Sequence, residues 1–368
     1  MIYLDHNATT ACRFFDDQIT DLIHRPLNPS SVHEFGRFAK GILEQSRRSI
    51  CESLKVDLRK NSLVFTGSGT EANNMVVKSF HDGNIFALAT EHSSILNHPN
   101  VQLISVDSSG LINMDHLNAL LKGADVSKKT LVCVMCANNE TGVLQPLDKV
   151  RAIVKSYGAN FHSDCVQGLG KIHLDFSELG ADSISLSAHK CGGLPGIGAL
   201  IYNNAIPIMP QIFGGGQEKG MRGGTESVLH ALLFAKAVSF SNSKDYLELY
   251  SKHTASLRDY MENEICSASL GAVFASDAAL RLANTSTIIM PGVSAEMQLM
   301  RLDIAGFAVS SGSACSSGKI GKSHVLFAMG FEENQVNSAI RVSLGIDNTL
   351  SEINSFIKTW VEIGRDFR

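Results

Sequence analysis

No stretch of this sequence approaches the roughly 18 apolar residues of a membrane span, and its opening MIYLDHNATTACRFF lacks the basic-then-apolar order of a secretory signal. No membrane association and a cytoplasmic location are therefore expected. A basic excess is missing too. The 32 Lys and Arg stand against 36 Asp and Glu, and a net charge of -4 with a pI near 6.3 leaves no field for direct nucleic-acid binding. The eight cysteines show no disulfide-framework spacing, so all are expected to be reduced. Cys133 and Cys136 in LVCVMCAN have a redox-like or zinc-like gap, but they lie inside an apolar run and no second Cys or His pair completes a zinc site. No metal is expected. Gly321-Lys322-Ser323 is not a Walker phosphate loop, because position 316 is serine. Internal repeats and low-complexity linkers are absent.

What is present suggests a soluble globular chain of about two domains, with 368 residues of which 44% are hydrophobic and 18% charged. Short apolar runs alternate with helix-length amphipathic stretches from residue 63 onward. The predicted strands cover 62–66, 84–90, 101–106, 130–137, 160–164, 183–187 and 197–203, with helical patterns such as TEANNMVVKSF and PLDKVRAIVKSYG between them. That rhythm predicts an α/β domain whose mainly parallel sheet is sandwiched by helices. Beyond the glycines at 214–216 and 222–224 the rhythm stops. Two long helical patterns, about 225–241 and 244–266, lead into a smaller α+β region that ends in a helical tail from Ser351.

Three strand ends carry chemistry. TGSGTEANN at 66–74 is a glycine-rich turn opening a helix, where backbone N–H groups with the Ser68 and Thr70 hydroxyls suit a phosphate. The same residues fit a permissive dinucleotide fingerprint, with Gly67, Gly69 and Ala72 in G-x-G-x-x-A spacing and Glu91 about twenty residues later, so a nucleotide-binding oxidoreductase or a noncatalytic module competes. SISLSAHKCGG at 183–193 delivers Ser187, His189 and Lys190 to the end of an apolar strand, where desolvation would suit a lysine to Schiff-base chemistry. NFHSDCVQ places Asp164 at another strand end. An anion cradle, a carboxylate and an amine are what pyridoxal phosphate requires for its phosphate, its pyridinium nitrogen and its aldehyde. A dinucleotide would leave Lys190 and Asp164 without a task. Farther along, SSGSACSSG at 310–318 sets Cys315 among serine, glycine and alanine, on a connection between the strand-like FAVS and the helical HVLFAMG. Such a loop setting favours a reactive thiol over a core one.

These segments, with YLDHNATT at 3–10, TEHSSIL at 90–96, NNETG at 138–142, GGGQEKGMRGGT at 214–225 and IRVSLG at 340–345, together resemble the cysteine desulfurases, in order and over nearly the whole chain. These are pyridoxal-phosphate enzymes of the class V aminotransferase, fold-type I group. The resemblance implies a large cofactor-binding domain over 15–250 and a small α+β domain from 1–14 and 251–368 that carries the cysteine loop. It implies that Lys190 bonds the cofactor and moves protons, Asp164 pairs with the ring nitrogen, Gln167 contacts the ring hydroxyl and His92 stacks on the ring. Gly69, Thr70, Ser187 and His189 would hold the phosphate, with Thr225 reaching it from the partner subunit of a homodimer. Asn139 and Arg341 match substrate-side positions, a guanidinium being suited to an amino-acid carboxylate. Cys315 would take sulfur from L-cysteine, leaving L-alanine and an enzyme persulfide that is passed to an iron–sulfur scaffold or a tRNA-thiolation factor.

Read singly, His92 could cap a helix, Asn139 could be a turn residue, Arg341 a surface charge and Thr225 an N-cap. Cys165 and Cys191 are expected to be neighbours of the cofactor and not nucleophiles. The SSGSAC form and the segment after it resemble the branch with a mobile catalytic loop. Two departures stand out: CGGLPGIG after Lys190 lacks the usual Gly-Pro-Lys step, and the chain ends at Arg368 without the longer tail of some relatives. A selenocysteine lyase remains an alternative that shares the cofactor.

Overall fold

The computed structural model describes residues 1–276, 278–312 and 322–367. Seven strands form one sheet in the order Asn61–Thr66, Gly198–Asn203, Ser183–Ser187, Asn160–Asp164, Thr130–Cys133, Asn84–Leu88, Val101–Ile104. Every pairing is parallel except the two made by Gly198–Asn203, which runs against the other six. Alternate side chains leave opposite faces of a strand, and the apolar residues obey that period. Leu63, Phe65, Phe86, Leu88, Phe161, Ile184 and Leu186 pack under the helices Glu34–Ser53, Leu147–Ser156 and Val228–Ser241, while Val64, Ile85, Ala87, Leu131 and Leu200 pack against Gly69–Ser79. Both faces are covered, so the strands read as nearly continuous apolar runs.

A second core lies in the last third of the chain. The strand Thr285–Ile289 pairs antiparallel with Ala339–Ser343 and Val273–Phe274, and the helices Lys244–Ser267, Ala295–Ile304 and Leu350–Asp366 enclose it. Trp360, Phe356, Ile288, Ile340 and Val342 are buried there, and Leu4 is buried with them. Ile2–Tyr3 pairs in parallel with Phe307–Ala308, which explains how the amino-terminal residues join this unit. The chain then crosses to the main sheet at residues 5–10, where Thr10 N donates to His189 O at 2.7 Å. That crossing brings the two cores together over the carboxyl ends of the parallel strands, the place where open α/β sheets bind ligands.

Candidate active site

A cavity of about 330 Å³ opens at those strand ends. Its walls include Gly69, Thr70, His92, Asn139, Asp164, Gln167, Ser187, His189, Lys190 and Arg341, so all the expected site residues are gathered except Thr225 and Cys315. Thr225 is exposed and does not line it, and Cys315 lies outside the described residues. Thr225 is also not the cap of the next helix. That helix is Val228–Ser241, and Ser227 takes the N-cap position.

Each wall has a local cause. Ser68 caps the helix Gly69–Ser79 through its Oγ, which accepts from Glu71 N at 3.1 Å, so the first N–H groups of an eleven-residue helix face the cavity. A Cβ at position 69 would meet Val166 Cγ2 at 2.7 Å; only glycine lets the helix start approach the turn after Asp164 this closely. The loop that carries Thr225 is pinned from behind by the buried Arg47–Glu218 pair at 2.7 Å, with Glu218 Oε2 also accepting from Phe65 N at 2.8 Å.

Asp164 ends its strand with both oxygens engaged: Oδ1 accepts from Val166 N at 2.9 Å and Oδ2 from Asn73 Nδ2 at 2.7 Å. Asn73 in turn sits 3.0 Å from Nε2 of His162, a fully buried ring whose pKa burial pulls down to about 4, leaving it neutral. Glu91 is the other buried carboxyl here. It accepts from Met135 N, and burial first, the Asp164 charge second, push its pKa well above the ordinary carboxylate range. Glu91 therefore holds a proton more tightly than an ordinary carboxyl. A Glu91 side chain with no exposed surface is also closed to a ribose, which removes the dinucleotide reading.

His92 caps a helix and also lines the cavity. Its Nδ1 accepts from Ser94 N at 3.1 Å, capping the short helix Ser93–Leu96, while its ring lines the cavity. Burial, then Lys190 and Lys171, draw the pKa of His189 down to about 4, so a neutral ring lies beside the amine. Lys190 follows the strand Ser183–Ser187 by one 3-10 turn, and its Nζ donates to Asn7 O at 2.7 Å. Arg341 is 2% exposed, not a surface charge. Its Nη1 donates to Asn139 O at 2.9 Å and its Nη2 to Asp5 Oδ1 at 2.7 Å, while Nε has no partner among the described residues. A buried donor without an acceptor, at the mouth of a cavity, suits a ligand oxygen.

Among the described residues all seven cysteines are free, and Cys165 and Cys191 are buried beside the cavity, with the Cys191 thiol pushed by burial up to about 12. Cys133 and Cys136 are buried with no metal-binding group of side chains among the described residues. No helix is long and apolar enough to cross a membrane among the described residues.

Residues 2–356 match the model of the aminotransferase class-V family. The chain belongs to that family. It is 33% identical over 373 residues to the cysteine desulfurase IscS of Dictyoglomus turgidum, covering 96% of this chain and 92% of the relative. The identity to cysteine desulfurase 2 of Trichormus variabilis is 34% over 375 residues, covering 97% and 92%. Among solved structures, the NifS-like protein of Rickettsia africae superposes with a TM-score of 0.92 at 40% identity, over 99% of both chains. The family works with pyridoxal phosphate on the fold-type I scaffold, and the cavity fits that cofactor. A helix start would suit the phosphate, the Asp164 carboxyl the ring nitrogen and the Lys190 amine the aldehyde.

Several residues that hold this class-V site together had no pyridoxal-phosphate task in the sequence, Glu91 being weighed only as the acidic residue of a dinucleotide fingerprint. Asn7, Asn73, Glu91, Glu140 and Lys171 are all buried around it. Glu140 accepts from the Ser323 hydroxyl, and Gly312 lies so close to its carboxyl that no side chain fits there. The last residue described before 313–321 and one just after that stretch thus meet at one carboxyl, which burial shifts upward. Asn7, Glu91 and Glu140 lie inside the motifs YLDHNATT, TEHSSIL and NNETG, so their positions were in view even where their tasks were not.

Proposed function

We propose that this chain is a pyridoxal-phosphate-dependent cysteine desulfurase that converts L-cysteine to L-alanine and transfers the sulfur to Cys315. The observation that carries the reading is the convergence of Lys190, Asp164, a capped helix start and Arg341 on one cavity. When bound, the cofactor supplies an aldehyde for the substrate amine and a ring that takes up the electron pair released at the α-carbon. The substrate carboxylate is held by Arg341, whose unpartnered Nε and fixed plane, set by Asp5 and Asn139, pre-orient it. Lys190 takes the α-proton and later returns a proton to the carbon chain. The Cys315 thiolate attacks the substrate sulfur; an S–S bond forms, the C–S bond breaks, and its electron pair stays with carbon, which is protonated to alanine. Cysteine and one thiol become alanine and one persulfide, with no outside oxidant.

The active form is a homodimer in this reading. Thr225 stands exposed on its pinned loop, and Phe213, whose backbone lies against Gly223, is 84% exposed, which suits a surface that meets a partner subunit. The persulfide is handed to an acceptor protein, an iron–sulfur scaffold or a tRNA-thiolation factor, in the cytoplasm.

Two measurements test this. Purified protein supplied with pyridoxal phosphate is expected to be yellow, to run as a dimer, and to form alanine and sulfide in equal amounts from L-cysteine under reductant. A colourless protein, or alanine formed only from selenocysteine in a paired assay, overturns the reading. Arg341→Met is expected to lower kcat/KM for L-cysteine by about 10- to 100-fold, the range for a lost hydrogen-bonded charge, with cofactor absorbance unchanged. An unaltered KM would remove Arg341 from the substrate side.

A further inference from the structure

Lys171 is buried at 5% exposure and has no ion pair among the described residues. A buried amine without a carboxylate is a costly thing to keep in a fold, so its contacts are informative. Its Nζ donates to Asn7 Oδ1 at 2.7 Å and to Gln167 Oε1 at 2.5 Å. Burial, with Lys190 and Arg341 adding to it, holds the Lys171 pKa well below the ordinary lysine range. These two oxygens take two of the N–H groups of the amine.

The other ends of the same amides lead to the site. Gln167 Nε2 donates to Asn7 O at 2.9 Å, and that carbonyl also accepts from Lys190 Nζ at 2.7 Å. Asn7 Nδ2 donates to Asn139 O at 3.2 Å and to Thr285 Oγ1 at 2.9 Å, and Asn284 Nδ2 supplies a second donor to Asn7 Oδ1 at 3.1 Å. Asn7 thus keeps one donor without Lys171. No second donor to Gln167 Oε1 appears among the described residues. The sense of the Gln167 amide, oxygen toward Lys171 and nitrogen toward Asn7 O, is set by those two contacts.

We propose that Lys171 is a positioning residue for this reaction: by donating to Gln167 and Asn7 it fixes the direction of the Gln167 amide, and through Asn7 O it holds the Lys190 amine in place. The inference rests on the cofactor-site reading above. Without Lys171, Gln167 Oε1 is a buried acceptor lacking a donor, and the amide keeps only one of the two bonds that fix it. The loosened amide and the lost donor to Asn7 Oδ1 leave Asn7 O, an acceptor of the Lys190 amine, less firmly placed.

The test needs no cofactor and no turnover, so it stands apart from the desulfurase assay. Lys190 in cofactor-free protein is amidinated with methyl acetimidate and its rate is read by mass spectrometry, with exposed Lys252 as internal reference and alkylation of buried Cys191 as a report of general loosening. Lys171→Met is expected to speed Lys190 labelling about fivefold, the worth of one hydrogen bond, with both controls unmoved. Gln167→Ala should give the same increase, and the double variant no more than either alone, because both act through one carbonyl. An unchanged or slower Lys190 rate, independent effects that multiply, or a parallel rise at Cys191 overturns the proposal. Should Lys171→Met not fold, Gln167→Glu carries the test: it sets an oxygen against Asn7 O with Lys171 in place, and is expected to give the same fivefold increase, an unchanged rate again overturning the idea. In the loaded protein, Lys171→Met should weaken pyridoxal phosphate binding by a similar factor and lower kcat more than it changes KM.

Discussion

Lys190→Ala is expected to eliminate alanine formation from L-cysteine, with turnover reduced at least about 10³-fold, because in the proposed reaction one side chain supplies both the covalent seat of the cofactor and the proton transfers. The structure shows why no neighbour can replace it. His189 is neutral and its Nδ1 faces Thr9 Oγ1 at 3.2 Å, His92 uses Nδ1 to cap a helix, and Lys171 is occupied behind the wall by Asn7 and Gln167. The variant should still bind pyridoxal phosphate through the phosphate cradle and Asp164, but borohydride should no longer fix the cofactor to the polypeptide. Mass spectrometry of the treated protein checks this, with thermal unfolding as the control for folding. Turnover within tenfold of the parent would remove Lys190 from the centre of the mechanism.

How far the sequence foretold this arrangement differs between strands and contacts. All seven predicted strands exist, because period-2 apolar alternation against two helix layers is a local signal. Three of them were expected to run on: 84–90 stops at Leu88, 101–106 at Ile104 and 130–137 at Cys133. Two of the overruns have one physical cause. After Leu88 and after Cys133 regular pairing thins to single backbone bonds, from Ala89, Val134 and Cys136, while the chain stays apolar or buried and delivers His92, Met135 and Asn139 to the cleft. Burial persists where pairing ends, and composition cannot separate the two. The site residues fall the same way. Lys190, Asp164 and the Gly69 turn were legible because each sits at a strand end with a local sequence mark. Asn7 was not, because its partners Gln167, Lys171, Lys190 and Asn284 are more than 150 positions away. Arg341 read alone as a surface charge, since a polar residue flanked by Ile340 and Val342 gives no hint that Asp5 and Asn139 close over it.

The second large effect is expected at Cys315, where replacement by serine separates the two halves of the reaction. In the proposed reaction, proton removal at the α-carbon needs Lys190, Arg341 and the bound cofactor, and Cys315→Ser changes the chemistry of none of these groups. Sulfur transfer needs a polarisable thiolate at the attacking position, and a hydroxyl is a far weaker nucleophile toward sulfur at neutral pH. Cys315→Ser is therefore expected to keep its yellow colour and to exchange the α-hydrogen of L-cysteine with deuterium from solvent, while alanine and sulfide formation fall at least about 10³-fold. The mass increment of one sulfur atom, found on the parent after a single turnover, should be missing. The other thiols offer no substitute at the cavity: Cys136, Cys165 and Cys191 are buried, with burial contributing to thiol pKa values raised to about 12 for Cys191 and well above the ordinary value for Cys136. Cys12, partly exposed in the neighbouring cavity with Thr9 and Thr10, is the one to examine if alanine formation survives. Full activity in Cys315→Ser, or loss of deuterium exchange together with sulfur transfer in a folded, yellow protein, would show that the thiol at 315 is not a dedicated acceptor.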